Sequence, residues 1–569
     1  MQIGVLDITK RTDVCGRYGS YIKEILGHAG FPYRVVTIEA LAETLSFLGI
    51  LVLPAHVVLD DCQQQLITQF VESGHVLIAL GGTSGLDVLC GCHDHGPVNE
   101  AWVGTSGVAH QVTAALPAPL HAFGGRQIEA LAGVAVLASW LDGDCYSTEN
   151  GWLDAAFAPA ITLRNAGRGY ALVVAADLVQ SIVRIQQGVG VHVDGCPAPD
   201  GSAPVNDGIL KVDDGLVLDY TRDRVPVGNT QIFGYGIADA WRELLLRALL
   251  WSAAVIAMPL PVLWYWPNHL QAIGLISHDS DVNDPILANM LLDNLQNMQI
   301  SSTWCIQYPG GYAPAFYRKL VSLGYELALH FDANVQKDRR SWQENDFRLQ
   351  VGWLTDIADQ HPISNKNHIL RWEGVTEFFS WMERAGMKAD QSKGPSKTGN
   401  MGFPFGGSHP WFPMHEHTLQ MIDVLEINLS SQDLVLTCPY EVGPVVVDWA
   451  KTHYGVAHLL FHPAHADKPQ VAAALRNVVT YGREQGLPWW TCAQIQEWER
   501  LRRQVRLEES SHGGWTVSST TDVPNATLLW FGAGAPVVKG SYDTKQVHVY
   551  DFPAVAQVID LSEKQVWLG

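Results

Sequence analysis

At 569 residues, with 47% hydrophobic and 17% charged side chains, the chain is long enough for about three ordinary domains, and its apolar content excludes a disordered protein. Its 37 Lys and Arg against 58 Asp and Glu leave a formal charge of −21, which excludes nucleic acid and anionic membrane surfaces as expected partners. The opening MQIGVLDITKRTDV lacks the apolar core of a secretory signal and the nine cysteines form no paired framework, so the expectation is a cytoplasmic chain with free thiols.

The first 90 residues alternate. Strand runs QIGVLDI, YRVVTI, GILVLP and HVLIALGG are separated by helical periods in YGSYIKEILGHAG, EALAETLSF and CQQQLITQFVESG. Apolar strands alternating with helices predict a parallel, doubly wound sheet. The VLP run before a helix, then HVLIALGGTSGLD and PAITLRNAGRGYALVVAADL, resembles the flavodoxin-like class I glutamine amidotransferase domain over residues 1–185. A glutaminase needs a thiol on the tight turn after its strand, and the turn Gly81-Gly82-Thr83-Ser84-Gly85 carries none. The domain is therefore expected to be a non-catalytic scaffold or a subunit contact supporting a homo-oligomer.

Residues 186–261 are expected to form an extended arm, rich in Gly, Asp and Pro (VDGCPAPDGSAPVNDG), and a linking helix from Ile237 to Ala257. The most apolar stretch, Ala248 to Trp266, is broken by Pro259 and Pro261 and is too short to span a bilayer. Over 262–508 the alternation resumes with QAIGLIS, SSTWCIQ and ELALHF between helical segments, enough for a (β/α) barrel. Residues 509–569 hold short runs (WTVSST, ATLLWFG, HVYDF, AQVIDL) that predict a small β-sandwich-like domain. The expected fold class is α/β throughout the first two domains, with a small β domain at the end.

In such barrels reactive groups stand at C-terminal strand ends. Three stretches qualify: GLISHDSD with Asp279 and Asp281, ELALHF with His330, and HLLFHPAH with His462 and His465. Two acidic residues two apart on an extended chain face the same side. One can hold a divalent cation while the other serves as base, the division that metal-assisted hydrolysis requires. Taken in order, HDSD, LALHF, LRWEG and FHPAH resemble the NodB-type polysaccharide deacetylases, the carbohydrate esterase 4 group, in a divergent branch.

The resemblance implies a NodB-like barrel hydrolase that removes an acyl (acetyl) group from an amino sugar or polysaccharide, with a divalent metal ion of the zinc type. It implies Asp279 as base, Asp281 and His330 as metal ligands, Arg371 as the residue that orients the base, and His462 as acid. The second histidine of the family's H-x-x-x-H is Asn334 here, a weak zinc donor, so the remaining ligand is left among Asn334, Asp332 and His368.

Each signal has a plainer reading. One of Asp279 and Asp281 could merely cap the helix that begins at Pro285. His465 competes with His462, which the family pattern selects because it directly follows the apolar strand. Asp433 is expected either to orient His462, among the residues that meet the substrate, or merely to cap a strand end. The stretch DQSKGPSKTGNMGFPFGGSHPWFP is expected to close over substrate as a loop, with His409 and His415 near the carbohydrate. Trp372 and Trp411, flanked by polar residues, are expected to form walls for a sugar ring. His278 is expected to be a bystander that shapes the mouth. Cys90-Gly91-Cys92-His93-Asp94-His95 is too crowded for one tetrahedral ion and reads as a loop. The competing function is a catalytically silent carbohydrate-binding or assembly protein, which requires that Asp279, Asp281, His330 and His462 fail to converge.

Overall fold

The computed structural model describes residues 1–9, 17–114, 116, 119–142, 146–147, 151–152, 155–333, 341–509, 514–534, 540–561 and 566–568. They form two compact units, one of residues 1–184, 240–269 and 501–569, the other of 185–239 and 270–500.

The first unit is built on a nine-stranded sheet. Arg34–Val36, Gln2–Leu6, Leu48–Leu53, Val76–Leu80 and Gly169–Val174 pair in parallel, in that order, as the alternating sequence predicts. Every residue of Leu48–Leu53 and Val76–Leu80 is buried, which an uninterrupted apolar strand requires. Beyond Gly169–Val174 the sheet continues through antiparallel strands Ala156–Ala166, Ala135–Leu141, Cys92–Thr105 and Leu120–Ala130. The stretch from Cys90 to His95 thus runs into a strand, not a loop, and its side chains diverge. Cys92 Sγ lies 3.6 Å from Thr162 Oγ1, Asp94 pairs with Arg126 at 2.8 Å, and His95 pairs with Glu129 at 2.9 Å. At the turn after Val76–Leu80, Ser84 is buried in the left-handed region (φ 55°), and its Oγ accepts the Val57 N–H at 3.1 Å.

In the same unit Leu260–Leu263 pairs antiparallel with Val523–Phe531, joining a four-stranded sheet with Phe552–Leu561 and Tyr542–Val549. Among the described residues, no helix is long and apolar enough to cross a membrane.

The second unit is an eight-stranded, all-parallel sheet with intervening helices. Its strands are β1 (Ile273–Asp279), β2 (Thr303–Gln307), β3 (Glu326–Phe331), β4 (Ser364–Asn367), β5 (Ala389–Asp390), β6 (Leu425–Glu426), β7 (Ser431–Gln432) and β8 (Val456–Leu460). The spatial order is β6-β5-β4-β3-β2-β1-β8-β7. Among the described residues β6 and β7 do not pair, so the sheet is a parallel half-barrel, compatible with the NodB-like (β/α) barrel expected. Both end strands are two residues long, too short to build a closing ladder.

Residues 186–235, expected to be an extended arm with little core, fall in the segment 185–239 that is tied into this unit. Val191 and Gly374 exchange backbone hydrogen bonds at 3.1 and 3.0 Å, and the Trp372 N–H donates to the Leu210 carbonyl at 3.1 Å. Asp213 accepts from Ser396 Oγ at 2.5 Å and Asn400 Nδ2 at 2.7 Å. The segment is therefore fixed against the residues that follow β4 and β5.

Candidate active site

Strand β1 is buried along its whole length, and its period of two decides what its tip presents. The helix that follows, Pro285–Met298, is capped by Asp284, whose Oδ1 accepts the N–H groups of Ile286 and Leu287 at 2.8 and 3.1 Å. Asp284 takes the capping duty, which leaves Asp279 and Asp281 for other work. His278, one residue out of phase, is fully buried and does not shape the mouth. Its Nδ1–H donates to the Phe461 carbonyl at 2.7 Å and its Nε2 accepts from Ser302 Oγ at 3.1 Å. Burial pushes its pKa down to about 4, so it is a neutral core histidine.

The cation beside Asp279 is Lys366, on β4. Its Nζ is wholly buried and lies 3.2 Å from Asp279 Oδ1. The contact is an ion pair without hydrogen-bond alignment, and among the described residues Asp279 Oδ1 has no hydrogen-bond donor. Nζ donates instead to Ser277 Oγ at 2.5 Å, and Ser277 donates to His458 Nε2 at 2.8 Å. The His458 Nδ1–H is shared between the carbonyls of Ile427 and Asn428 at 3.2 Å each. Arg371, expected in the orienting role, lies beyond the strand end. Its guanidinium bonds Glu373 and the Leu210 carbonyl, the latter at 3.0 Å.

Asp281, His330 and His368 bring one ligand atom each within 4.8 Å of the others. His330 stands at the end of β3, and its Nδ1–H donates to the Lys366 carbonyl at 2.9 Å. That bond orients the ring and turns Nε2 toward the carboxylates, 3.0 Å from Asp281 Oδ1 and 3.8 Å from Asp279 Oδ2. His368 follows β4, with Nδ1 held by Gln307 Nε2 at 3.0 Å and its ring 5.3 Å from that of His330. Asp332 faces His368 at 3.3 Å. Asn334 lies outside the described residues. A carboxylate and two imidazoles, one with its outer nitrogen on a carbonyl, fit a divalent first-row metal ion with positions left for water or substrate.

His462 follows β8. Its Nδ1 is 2.5 Å from Asp433 Oδ2 and its backbone N–H donates to Asp433 Oδ1 at 2.9 Å, so Asp433 grips both ends of the residue. Asp433 thus orients His462; a substrate contact does not fit a carboxylate spent in this way. Nε2 of His462 points toward Asp281, at 3.6 Å. His465 lies farther from Asp433, at 3.9 Å, and is held by Lys468.

Electrostatics separates the roles. Burial opposes both negative charges, yet Lys366, His330 and His462 outweigh it and hold Asp279 below the ordinary carboxylate range. Asp281 is held well below it, chiefly by its hydrogen bond to His330. Burial also opposes charge on His462, but Asp433 raises its pKa to about 9, and His330 is raised by the two aspartates.

Four expected substrate contacts do not reach this centre. Trp372 and Trp411 are fully buried core residues: Trp372 packs edge-on against Phe378 and Phe379, and Trp411 Nε1 donates to Asn428 Oδ1 at 3.0 Å. His409 is buried, its N–H on Asp239. His415 caps a local turn through Nδ1, accepting the N–H groups of His417 and Thr418. The polar, glycine-rich stretch that contains them folds inward, because Asp239 captures the Ser408 N–H and Oγ at 2.7 and 2.9 Å and Asp213 captures Ser396 and Asn400.

What lines the centre is a cavity of about 220 Å³. Besides Asp279, Asp281, His330 and His462 it is walled by Lys211, Ile369, Leu370, Ser396 and Gln432, none of which the sequence reading singled out.

No family model and no curated protein matches the chain. Among solved structures it is similar to a protein assigned as a polysaccharide deacetylase from Mycobacterium smegmatis, at 17% identity over 41% of this chain and 92% of that one, with a TM-score of 0.32. A family 4 acetyl xylan esterase from Clostridium thermocellum, in complex with a cobalt ion, is 14% identical over 39% of this chain and 89% of that one, with a TM-score of 0.26. A β-galactosidase from Rahnella sp. R3 is 17% identical over 32% of this chain, with a TM-score of 0.25, and the chain spans 30% of that protein's length.

Proposed function

We propose that the second unit is a metal-dependent hydrolase that cleaves the amide of an N-acylated amino sugar. The observation that carries this reading is the convergence of Asp279, Asp281, His330, His368 and His462 at the ends of β1, β3, β4 and β8, with Asp279 Oδ1 buried, ionised and lacking a hydrogen-bond donor among the described residues. A silent binding module would have no use for an ionised carboxylate held by Lys366 beside a set of metal-ligand side chains. It would also let His330 turn into the core, whereas Nε2 faces two carboxylates.

A divalent ion, with zinc the proposed metal, would be held by Asp281, His330 and His368 and would polarise the acyl oxygen and acidify water. The chain supplies the proton traffic. Asp279, through Oδ2 on the side of His330, takes a proton from the attacking water as its oxygen bonds the acyl carbon, and Lys366 beside Oδ1 keeps that carboxylate ionised beforehand. His462, oriented by Asp433 and protonated through neutral pH, gives its proton to the departing nitrogen as the C–N bond breaks. The products are a carboxylic acid and the free amine.

The test is metal analysis of the purified protein, paired with acetate release from N-acetylated saccharides by wild type and Asp279→Asn. Stoichiometric metal and a loss of roughly 10²–10⁴ in rate for the variant are expected. Acetate release unchanged by Asp279→Asn would refute the base assignment.

A further inference from the structure

The third proposed metal ligand stands between two groups that make opposite demands on it. Around His368 Nδ1 lie Gln307 Nε2 at 3.0 Å and Asp332 Oδ1 at 3.3 Å. Gln307 Nε2 is also 3.2 Å from Asp332 Oδ2. A carboxamide oxygen in that place would face a carboxylate oxygen, so the amide is oriented with its N–H groups toward both neighbours. Gln307 is therefore a donor at Nδ1, and Asp332 is an acceptor.

The two demands select different tautomers. A ring that accepts from Gln307 keeps its lone pair on Nδ1 and its proton on Nε2, and has no nitrogen left for an ion. A ring that donates from Nδ1 to Asp332 has the Nε2 lone pair to give. In passing from the first form to the second, one proton leaves Nε2 for water and one joins Nδ1 from water, so the ring stays neutral.

Neither partner depends on His368 for its place. Gln350, fully buried on the helix Glu344–Ala358, accepts the Asp332 N–H through Oε1 at 3.0 Å and donates Nε2 to the Asp332 carbonyl at 2.9 Å. Gln307 ends β2, and its backbone N–H donates to Ser280 Oγ at 3.0 Å. Asp332 is not in the group of Asp281, His330 and His368, whose ligand atoms all lie within 4.8 Å of one another. It meets His368 at Nδ1, the position of an outer carboxylate that orients a ligating imidazole and strengthens it as a donor.

We propose that Asp332 is the positioning residue that makes His368 a metal ligand, and that Gln307 competes with it for Nδ1, so that the chain holds its ion less tightly than its ligand set allows. The proposal rests on the metal-dependent part of the hydrolase reading and is independent of the substrate.

The experiment measures the zinc affinity of the full chain by competition with a chromophoric chelator, for wild type, His368→Ala, Asp332→Asn and Gln307→Leu. It also reads the His368 tautomer in the metal-free proteins from the ring-nitrogen NMR shifts of isotope-labelled samples, assigned by the signal lost in His368→Ala. Asp332→Asn should bind zinc roughly 10–100-fold more weakly. Gln307→Leu should bind it about three- to tenfold more tightly, the size of one lost hydrogen bond, and should move the metal-free ring from the Nε2–H to the Nδ1–H form. A merely structural role predicts weaker binding for both. Gln307→Leu that binds zinc no more tightly than wild type would overturn the competition, and a loss of less than about tenfold in Asp332→Asn would overturn the role of Asp332. Should either variant fail to fold, Asp332→Ala and Gln307→Met carry the same expectations. Failure of the metal reading is separate: wild type that binds no zinc, or His368→Ala that binds it as wild type does, would refute that reading. The metal-free tautomers then decide the contest for Nδ1 alone: a ring that changes form in Gln307→Leu supports it, and an unchanged ring overturns it.

Discussion

Lys366→Met is the sharpest perturbation of the proposed base. Nζ sits 3.2 Å from Asp279 Oδ1, with the two side chains 0% and 5% exposed. At an effective dielectric of about 20, unit charges at that separation attract by ~5 kcal/mol, an upper limit, and stripping one member from a buried ion pair costs about 3–5 kcal/mol. Lys366→Met should therefore lower the unfolding free energy of the second unit by about 3–5 kcal/mol. Asp279→Asn should cost less, because Lys366 keeps the Ser277 hydroxyl as a partner. The double variant should regain at least ~2 kcal/mol of the sum. The assay is urea unfolding of metal-free protein, since a bound ion would add its own field, read beside hydrogen exchange of peptides from β1 and β4. Effects of the two substitutions that add to within about 0.5 kcal/mol would show that Lys366 does not hold Asp279, and the electrostatic account of the base would be wrong.

Three further outcomes follow from the same geometry. Burial depresses His458 to about 3 and His278 to about 4, below the value near 6.5 of an unfolded chain, so both are neutral when folded and take a proton on unfolding. Their contribution is complete above about pH 6.5 and is lost as pH falls from there toward 4, at about 1.4 kcal/mol per unit for each histidine; urea midpoints between pH 7 and 5 check this, and His458→Gln should roughly halve the slope. His368→Ala should weaken metal affinity by more than the roughly 10–100-fold that loss of an outer partner costs, whereas His465→Ala should not change it, as competition with a chromophoric chelator will read. Asp433→Asn should lower kcat by roughly 10²–10⁴ with little change in KM, because it removes the carboxylate that orients His462 and keeps it protonated, without touching the proposed cavity.

Where the reading of the sequence held, a strand's own periodicity carried the information. An apolar run ending in Asp279, His330 or His462 carries a polar side chain to the end of its strand, and neighbours along one chain suffice to say so. Lys366 was illegible for the opposite reason. Its strand reads Ser-Asn-Lys-Asn, a polar run that propensity assigns to a turn, and all four residues are buried. Only the adjacency of β4 to β3 and the approach of Ser277 from β1 reveal that the lysine meets a carboxylate instead of solvent. Trp372 and Trp411 were misread because polar neighbours suggested exposure; Trp411 and His409 lie in a stretch that Asp213 and Asp239 draw into the interior through bonds to Asn400 and Ser408, 187 and 169 residues later.

The two halves of the site are held by different means. The base is fixed on regular strands: the chain from Lys366 through Ser277 to His458 and the carbonyls after β6 spans β4, β1 and β8, and each link is buried. The third metal ligand is not. His368 opens a turn in which Ile369 and Leu370 both occupy the left-handed region, at φ 52° and 55°, a conformation that costs a β-branched residue of order 1–3 kcal/mol. Such a turn persists only when its surroundings over-determine it. Here they do, because the next residues, Arg371 and Trp372, bond the Leu210 carbonyl and Lys211 bridges to Arg371. The segment that contributes Lys211 to the cavity lining is thus the same one that clamps the strained turn bearing His368. The proposed metal ligand is held through that segment, so a Gly substitution at Ile369, which relieves the strain, should loosen the metal while leaving the ion pair of Asp279 and Lys366 in place.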